Sequence, residues 1–521
     1  MSSEKLKPEE LGAKKLYDRL VTDRDSYTQR AEKNAKYTIP QLFPKESDDG
    51  STNYEAPYNS VGARGLNNLA SKLLLSILPP NQPFFKFGLD EESTQAMNNA
   101  SSPEDKDQIE YGLSQMEQAV MRYMEKQSLR PTVFEAIKQL IISGNALLFL
   151  PPAEGGVKCY SLRNYVVQRD GVGNVIQLVA KDTLSLGTLP ENIRSMVDQG
   201  GSGDEDLSKK VEVYTHVYRL QGNEGDGTWE SYQEIEGEVI SGSEQSYPLN
   251  KTPWIPVRFF KKDGEAYGRS FVEDYIGDLV SLENLTKAIV DMSMISAKVL
   301  FLVAPTSQTN IRALTKAENG AFVKGRGEDV VPMQLQKQSD LQVSQSTAQA
   351  IEQRLSFNFL LNSAVQRDAE RVTAEEVRYM ANELESTLGG VYSLLSQELQ
   401  LPLVACFYNQ MLSQNLLPPI EELGVDLEPS ITTGLDALGR GADFQKLSQV
   451  ISVMQNFPEF MQTLNVGNLA TRLFTAIGVS YEGLVKTPEQ LQMEQQQAMG
   501  QEVGMMGVQG AIDAGVAQSK G

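Results

Sequence analysis

Histidine is almost missing from this chain of 521 residues: His216 stands alone. Ser–His–Asp, Cys–His and two-histidine-one-carboxylate centres would all depend on that single side chain. Cysteine is nearly as scarce. Cys159 and Cys406 lie far apart in sequence, which excludes a disulfide framework and a cysteine-based zinc site and points to a reducing compartment. Positive charge is also short, with 47 Lys+Arg against 68 Asp+Glu. A general nucleic-acid binder neutralises phosphates with Lys and Arg, so this balance argues against one. It leaves room for a protein past which nucleic acid slides without sticking. Long hydrophobic runs are missing too: Leu73 to Leu78 and Ala146 to Leu150 fall far short of the ~18 residues a membrane span needs. The polar N-terminus excludes a secretory signal peptide, so the Asn250-Lys251-Thr252 sequon has no glycosylation context.

What is present suggests about three domains for this length. Residues 1–45 read as helical, with a partial stripe at Leu11, Leu16 and Leu20 that Pro40 and Pro44 end. Asn59 to Leu78 forms a second helix closed by Pro79-Pro80, and Phe84, Phe85 and Phe87 mark a short buried strand. Residues 103–150 read as two amphipathic helices parted at Arg130-Pro131. The texture then turns to strands: Val157 to Tyr160, Tyr165 to Gln168, Val175 to Val179, Val211 to Leu220, Trp229 to Ile235 and Trp254 to Phe260. Asp170-Gly171 is a hairpin signal between two of them.

The C-terminal half is dominated by long helices. Ser270-Phe-Val-Glu273 is a capping box that launches a helix with apolar residues from Ile276 to Val299 at three- and four-residue steps, ending near Pro305. A small mixed unit follows, with a helix near Ile311 to Ala317 and strands at Ala321 to Lys324 and Val330 to Leu335. A second long helix, about Val343 to Val365, returns through Ala348, Ile351, Leu355 and Phe359. Two long helices bracketing a small tip form a stalk with a head. Beyond a break holding Arg367 and Arg371, the capping box Thr373-Ala-Glu-Glu376 opens another helix. Its stripe (Val377, Ala381, Leu384, Leu388, Val391, Leu395) passes through Gly389-Gly390, with Pro402 beyond, and it reads as a bent strut. Ser430 to Gly441 is a Gly-punctuated loop. Phe444 to Ile451 and Leu469 to Ile477 are short helices, and the Gln-, Gly-, Met- and Ala-rich tail after Tyr481 frays into disorder.

No chemical centre emerges. His216 falls in an alternating strand on the face opposite Val211, Val213 and Val217, the pattern of a half-exposed strand histidine. Gly320-Ala-Phe-Val-Lys-Gly325-Arg326 has P-loop spacing, yet Arg326 stands where Lys belongs, no Ser or Thr follows and no helix is launched, so it reads as a hairpin turn. Asp204-Glu205-Asp206 could ligate a hard cation, but a solvated Gly-rich loop accounts for it better. Arg367 and Arg371 are either surface partners of Asp368 and Glu370 or groups facing a polyanion.

Several runs resemble one family. Tyr267-Gly-Arg-Ser270 with Val272 to Leu279, Arg354-Leu-Ser-Phe357 with Leu361 to Arg367, and above all Arg371 to Pro402 resemble the portal (head-to-tail connector) proteins of short-tailed, podovirus-type bacteriophages. The likeness continues through Thr433 to Gly441 and is close over about residues 255 to 441. The resemblance implies an α+β, mainly α, viral portal fold. Its parts would be a wing at 1–269, helical at first and β-rich over 151–262; stem helices at 270–303 and 343–366; a small α/β clip at 304–342; a tunnel loop at 367–372; a long kinked helix joining wing to crown at 373–429; a helical crown at 430–480; and a frayed or disordered tail at 481–521.

It further implies a homo-oligomeric ring, usually a dodecamer, at one capsid vertex of the virion, assembled in the host bacterial cytoplasm. Double-stranded DNA would be packaged and ejected through its channel. The implied partners are the terminase packaging motor, tail adaptor proteins, the major capsid protein and internal core or scaffold proteins, with no membrane, cofactor, metal or catalytic residue. On that arrangement Arg367, Asp368, Glu370 and Arg371 line the channel, Lys324, Arg326, Glu328 and Asp329 contact partners at the clip, and Gly389 and Gly390 kink the joining helix. The alternatives are another oligomeric virion structural protein, such as an adaptor or scaffold, and a carboxylate-dependent enzyme acting on nucleic acid.

Overall fold

The computed structural model describes residues 12–80, 84–89, 103–151, 156–191, 193–194, 207–220, 227–297, 300–333, 338–361, 388, 390–417 and 427–431. Their architecture is mixed α/β. A six-stranded antiparallel sheet carries the strand-rich region: β4 (Tyr165–Arg169), β5 (Val175–Ser185), β6 (Lys210–Leu220), β7 (Thr228–Ile235) and β8 (Glu238–Val239) lie in that order, and β9 (Gln245–Pro248) also pairs with β7. The Asp170-Gly171 hairpin signal is realised: the Asp170 carboxylate accepts the backbone N–H groups of Val172, Gly173 and Asn174, and Gly173 takes φ +100°, which a residue without Cβ adopts freely.

The alternation of β6 suggests one wet face, but both faces are covered. Helix α1 (Ala13–Lys36) lays Leu16, Tyr17 and Leu20 against Val166, Val179 and Tyr214, with the rings of Tyr17 and Tyr214 5.4 Å apart, edge to face. The opposite face packs Val217 into the main core and Val211 and Val213 into a smaller cluster. His216 is therefore buried rather than half-exposed. Its two ring nitrogens lie 3.2 Å from the Tyr232 hydroxyl and 3.0 Å from Gln177 Oε1, and burial pulls its pKa down to about 4.

Residues 145–149 differ from the helical reading. Gly144 takes φ +77° and ends helix α4 (Leu129–Ser143). Asn145–Phe149 then forms β2, the centre of a three-stranded sheet between β10 (Trp254–Arg258) and β3 (Lys158–Tyr160). An all-apolar run buried on both faces fits a central strand as well as a helix, and periodicity cannot separate the two. The break between helices also shifts: α3 (Pro103–Lys126) ends before Ser128, whose φ of +52° separates it from α4, so Pro131 falls in the first turn of α4. Helix α2 (Val61–Ile77) packs Leu66, Leu69 and Leu73 with Ile137, Leu140 and Ile141 of α4 in the main core. The strand at the Phe84–Phe87 aromatics is β1 (Phe85–Leu89). It pairs with β13 (Leu427–Ile431), so Ser430 belongs to a strand and not to a loop.

The two long helices are α5 (Phe271–Ala297) and α7 (Gln338–Asn358). Ser270 caps the first, its hydroxyl accepting Glu273 N–H at 3.1 Å, while the Glu273 carboxylate turns to Arg30 and Arg269 rather than back to the cap. Helix α5 stops at Ala297, short of Pro305, because Leu300–Val303 leaves it as strand β11 and pairs with β12 (Val330–Met333). At 1.5 Å per residue its 27 residues span about 40 Å. Between the two strands sits the short helix α6 (Ile311–Thr315), capped by the Asn310 side chain.

The helical run after Gly390 is irregular at a place that glycine does not mark. After α8 (Val391–Leu395), Ser396–Gln400 forms a π turn, in which Leu401 N–H reaches back five residues to the Ser396 carbonyl, before α9 (Leu401–Ser413). Pro402 has no N–H and its ring would crowd the carbonyl four residues earlier, so a widened turn there relieves the clash. The turn projects Glu398 toward β10. Its carboxylate accepts Arg258 N–H at 2.9 Å and Arg258 Nε at 3.0 Å, and also bonds Nη2.

Candidate interface surfaces

The helix pair is anchored at its base by rings. Phe359, fully buried, lies 5.4 Å from Phe271 and 6.1 Å from Tyr275. Gly65 of α2 lets it in, since a Cβ there would stand 2.5 Å from the Phe359 ring. The chain then turns through Leu360 at φ +55°, and Asn68 Nδ2 donates to the carbonyls of Phe359 and Leu360 at 3.0 and 2.9 Å. One turn away, Arg354 grips Asp278 across the pair with two bonds of 2.8 and 2.7 Å.

Burial fades from that base outward. Leu279, Leu282, Ile351 and Leu355 are buried, whereas Met294 is 63% exposed and Val343 65% exposed. Ten of the nineteen exposed large apolar side chains among the described residues fall between Met294 and Phe357, a segment holding about one-sixth of the described residues. They include Phe301 and Leu302 on β11, Val331 on β12 and Phe322 at the outermost turn. Exposed apolar side chains gathered in this way make the segment a candidate interaction surface.

The tip is held by Thr309. Its hydroxyl donates to the Asp329 carboxylate at 2.6 Å and accepts Arg326 N–H at 3.2 Å. Gly325 presses against the same hydroxyl, where a Cβ would sit at 2.5 Å. The Thr309 hydrogen bond, with further donors around it, holds the Asp329 carboxyl below its ordinary range. Ala321–Lys324 is irregular rather than a strand, and it pairs with neither β11 nor β12.

Of the residues named from sequence, Lys324, Arg326 and Glu328 are exposed around the tip, and Asp329 is half-buried and engaged with Thr309. Gly390 opens helix α8, and a Cβ added there would meet none of the described residues within 4 Å. Arg367, Asp368, Glu370, Arg371 and Gly389 lie outside the described residues, as do Asp204, Glu205 and Asp206 and the regions expected as crown and tail. Among the described residues no group of three or more His, Cys, Asp or Glu could hold a metal ion, and no helix is long and apolar enough to cross a membrane. Sequence reasoning missed Phe322 as an exposed apolar group, reading it as part of a strand. It also missed the Arg258–Glu398 pair, whose members are 140 residues apart and carry no local signal.

The chain matches the family model for the bacteriophage head to tail connecting protein over residues 11–485. It is 49% identical to the portal protein of Enterobacteria phage T3 over 513 residues, covering 97% of this chain and 93% of that one. Identity to the portal protein of Escherichia phage T7 is 47%, over 95% of this chain and 91% of that one. Among solved structures, the neck of an empty gene transfer agent particle aligns at 14% identity with a TM-score of 0.35, over 75% of this chain and 86% of that chain, too low a likeness to assign a fold. With nearly its whole length matched, and at an identity far above what chance alignment allows, the chain belongs to the bacteriophage head to tail connecting protein family.

Proposed function

We propose that this chain is the portal protein of a short-tailed phage, a homo-oligomeric ring at one capsid vertex through which double-stranded DNA enters and leaves. The observation that carries the ring is the exposed apolar surface from Met294 to Phe357. One antiparallel contact between α5 and α7 buries the base of the pair and leaves its outer half and tip uncovered, and neighbouring copies would cover the rest. In this reading residues 1–269 are the wing, 270–303 and 343–366 the stem, 304–342 the clip, 373–429 the helix joining wing to crown, and 430–480 the crown. The clip, with Lys324, Arg326, Glu328 and Asp329, meets the tail adaptors and the terminase motor, and the wing and crown meet capsid and core proteins.

The loop at 367–372 would project into the channel. Arg367 and Arg371 there are offset by Asp368 and Glu370, so the contact permits sliding where unopposed arginines would grip phosphates. Gly389-Gly390 would act as a hinge beside the π turn. Light scattering on the purified protein at micromolar concentration and physiological salt tests the ring. A mass of about twelve chains is expected, and a monomer throughout would refute it.

A further inference from the structure

Asn319-Gly320, in the turn just before Phe322, is the only Asn-Gly step in the chain. Such a step can react with itself: the backbone nitrogen of the second residue attacks the side-chain carbonyl of the first. A Cβ on the second residue hinders that approach, and glycine has none. This chemistry is one reason asparagine counts among the thermolabile residues. In a folded protein its rate depends on how freely the two groups can meet.

At the tip they meet freely. Residues 311–322 are all exposed. Ala321 N–H donates to the Glu318 carbonyl at 3.0 Å and Gly320 takes φ +89°, so residues 318–321 form a turn with glycine at its third position, as type II requires. Among the described residues, neither the Asn319 side chain nor the Gly320 N–H has a hydrogen-bond partner. A Cβ built on Gly320 would meet none of the described residues within 4 Å, so no wall braces the turn. The Asp170-Gly171 step is the contrast. Its carboxylate is occupied by the N–H groups of Val172, Gly173 and Asn174 and by Asn174 Nδ2 at 3.0 Å, which keeps it from the Gly171 nitrogen.

We propose that Asn319 is a site of spontaneous self-modification. The Gly320 nitrogen gives up its proton and bonds to Asn319 Cγ. The Cγ–Nδ2 bond breaks, and Nδ2 leaves as ammonia with that proton. The five-membered imide that remains then takes up one water. Water at Cγ breaks the new bond and leaves aspartate at position 319; water at the main-chain carbonyl leaves isoaspartate, with the backbone routed through Cγ. Either product sets a second carboxylate beside Glu318, and isoaspartate lengthens by one carbon the turn that carries Phe322. The partner-facing surface of the clip thereby gains one negative charge per copy as the protein ages. That consequence rests on the clip reading, and the chemistry does not.

The full-length protein is incubated folded and, in parallel, unfolded in guanidinium chloride, then cut with trypsin and analysed by chromatography and mass spectrometry. The peptide of residues 317–324, released after Lys316 and Lys324, should gain the mass difference between a hydroxyl and an amino group and split into aspartate and isoaspartate forms. Its conversion in the folded protein should be within about tenfold of the rate in the unfolded chain, because opening an exposed turn costs little. The peptide of residues 170–181 should form isoaspartate only in guanidinium chloride. Asn319→Gln, which would have to close a larger ring, should leave the first peptide unchanged. Gly320→Ala should slow its conversion about tenfold through the added Cβ. A folded rate below the tenfold bound, isoaspartate at Asp170 as readily in the folded protein as in the unfolded one, or a mass gain that persists in Asn319→Gln would each overturn the proposal.

Discussion

Replacing Glu398 by Ala removes the only carboxylate that holds Arg258. The pair is almost fully buried, with side chains 3% and 15% exposed, and the carboxylate accepts the Arg258 backbone N–H as well as the guanidinium. Breaking a buried ion pair from one side costs about 3–5 kcal/mol, because the surviving charge is left unpaired in a poorly polarisable interior. The slight exposure of Glu398 and a nearby cavity admit some water, which favours the lower end. The pair ties strand β10 to the joining helix, so the loss should appear where those elements meet. Urea unfolding followed by emission from Trp229 and Trp254 reads that junction. The slope exceeds the about 1–3 kcal/mol per molar urea of small proteins, because it grows with the surface exposed, so a loss of about 3 kcal/mol lowers the midpoint by about 0.5–1 M. The double variant Arg258→Met with Glu398→Leu removes the paired charges and should recover part of the loss, because Arg169, 4.0 Å from Glu398, and the Arg258 backbone N–H still lose that carboxylate. A Glu398→Ala midpoint within about 0.2 M of the parent, or a double variant no better than the single one, would refute the reasoning.

Three further outcomes are expected. His216 is neutral when folded, with its pKa lowered by burial from 6.5 to about 4, so the unfolded chain takes up a proton first as pH falls. Stability is whole above about pH 6.5 and is lost progressively down to about 4, by up to about 3 kcal/mol; unfolding midpoints at pH 6.5 and 5 should differ in the parent and converge in His216→Asn, and parallel slopes in the two proteins would contradict this. Arg326→Ala with Glu328→Ala should leave the assembly mass unchanged while lowering tail attachment or packaging in complementation of a portal-defective phage; loss of assembly would count against a partner-facing clip. Arg367→Glu with Arg371→Glu should preserve assembly but give particles that package poorly or leak DNA, and normal filling and retention would make that loop an ordinary linker.

The helix pair and its tip were legible because their signals are local. Ser270 caps where the capping box places it, and the run Leu279, Leu282, Leu355, Phe359 packs as its spacing requires. The errors share one cause, partners distant in sequence. Ala146 to Leu150 is uniformly apolar, and pairing on both sides, with Lys158–Tyr160 nearby and with Trp254–Arg258 more than a hundred residues later, makes most of it a strand. His216 alternates like a half-wet strand residue, but α1, about two hundred residues earlier, packs on the sheet at Tyr214, and Gln177 and Tyr232 of the flanking strands bracket the imidazole. Pro402 announced an irregular helix, but not that the widened turn would be used to seat Glu398 on Arg258. Phe322 shows the converse: Ala321 to Lys324 suggested a strand, and nothing local revealed that the segment pairs with neither β11 nor β12 and leaves the ring exposed.

The central claim is that the apolar surface from Met294 to Phe357 is the contact between copies of this chain. Cryo-electron microscopy of the purified, unfixed assembly tests it most directly. The account predicts a closed ring in which Met294, Phe301, Val343 and Phe357 of each copy are buried against its neighbours. A ring held by other surfaces, with these four side chains still facing water, would contradict it.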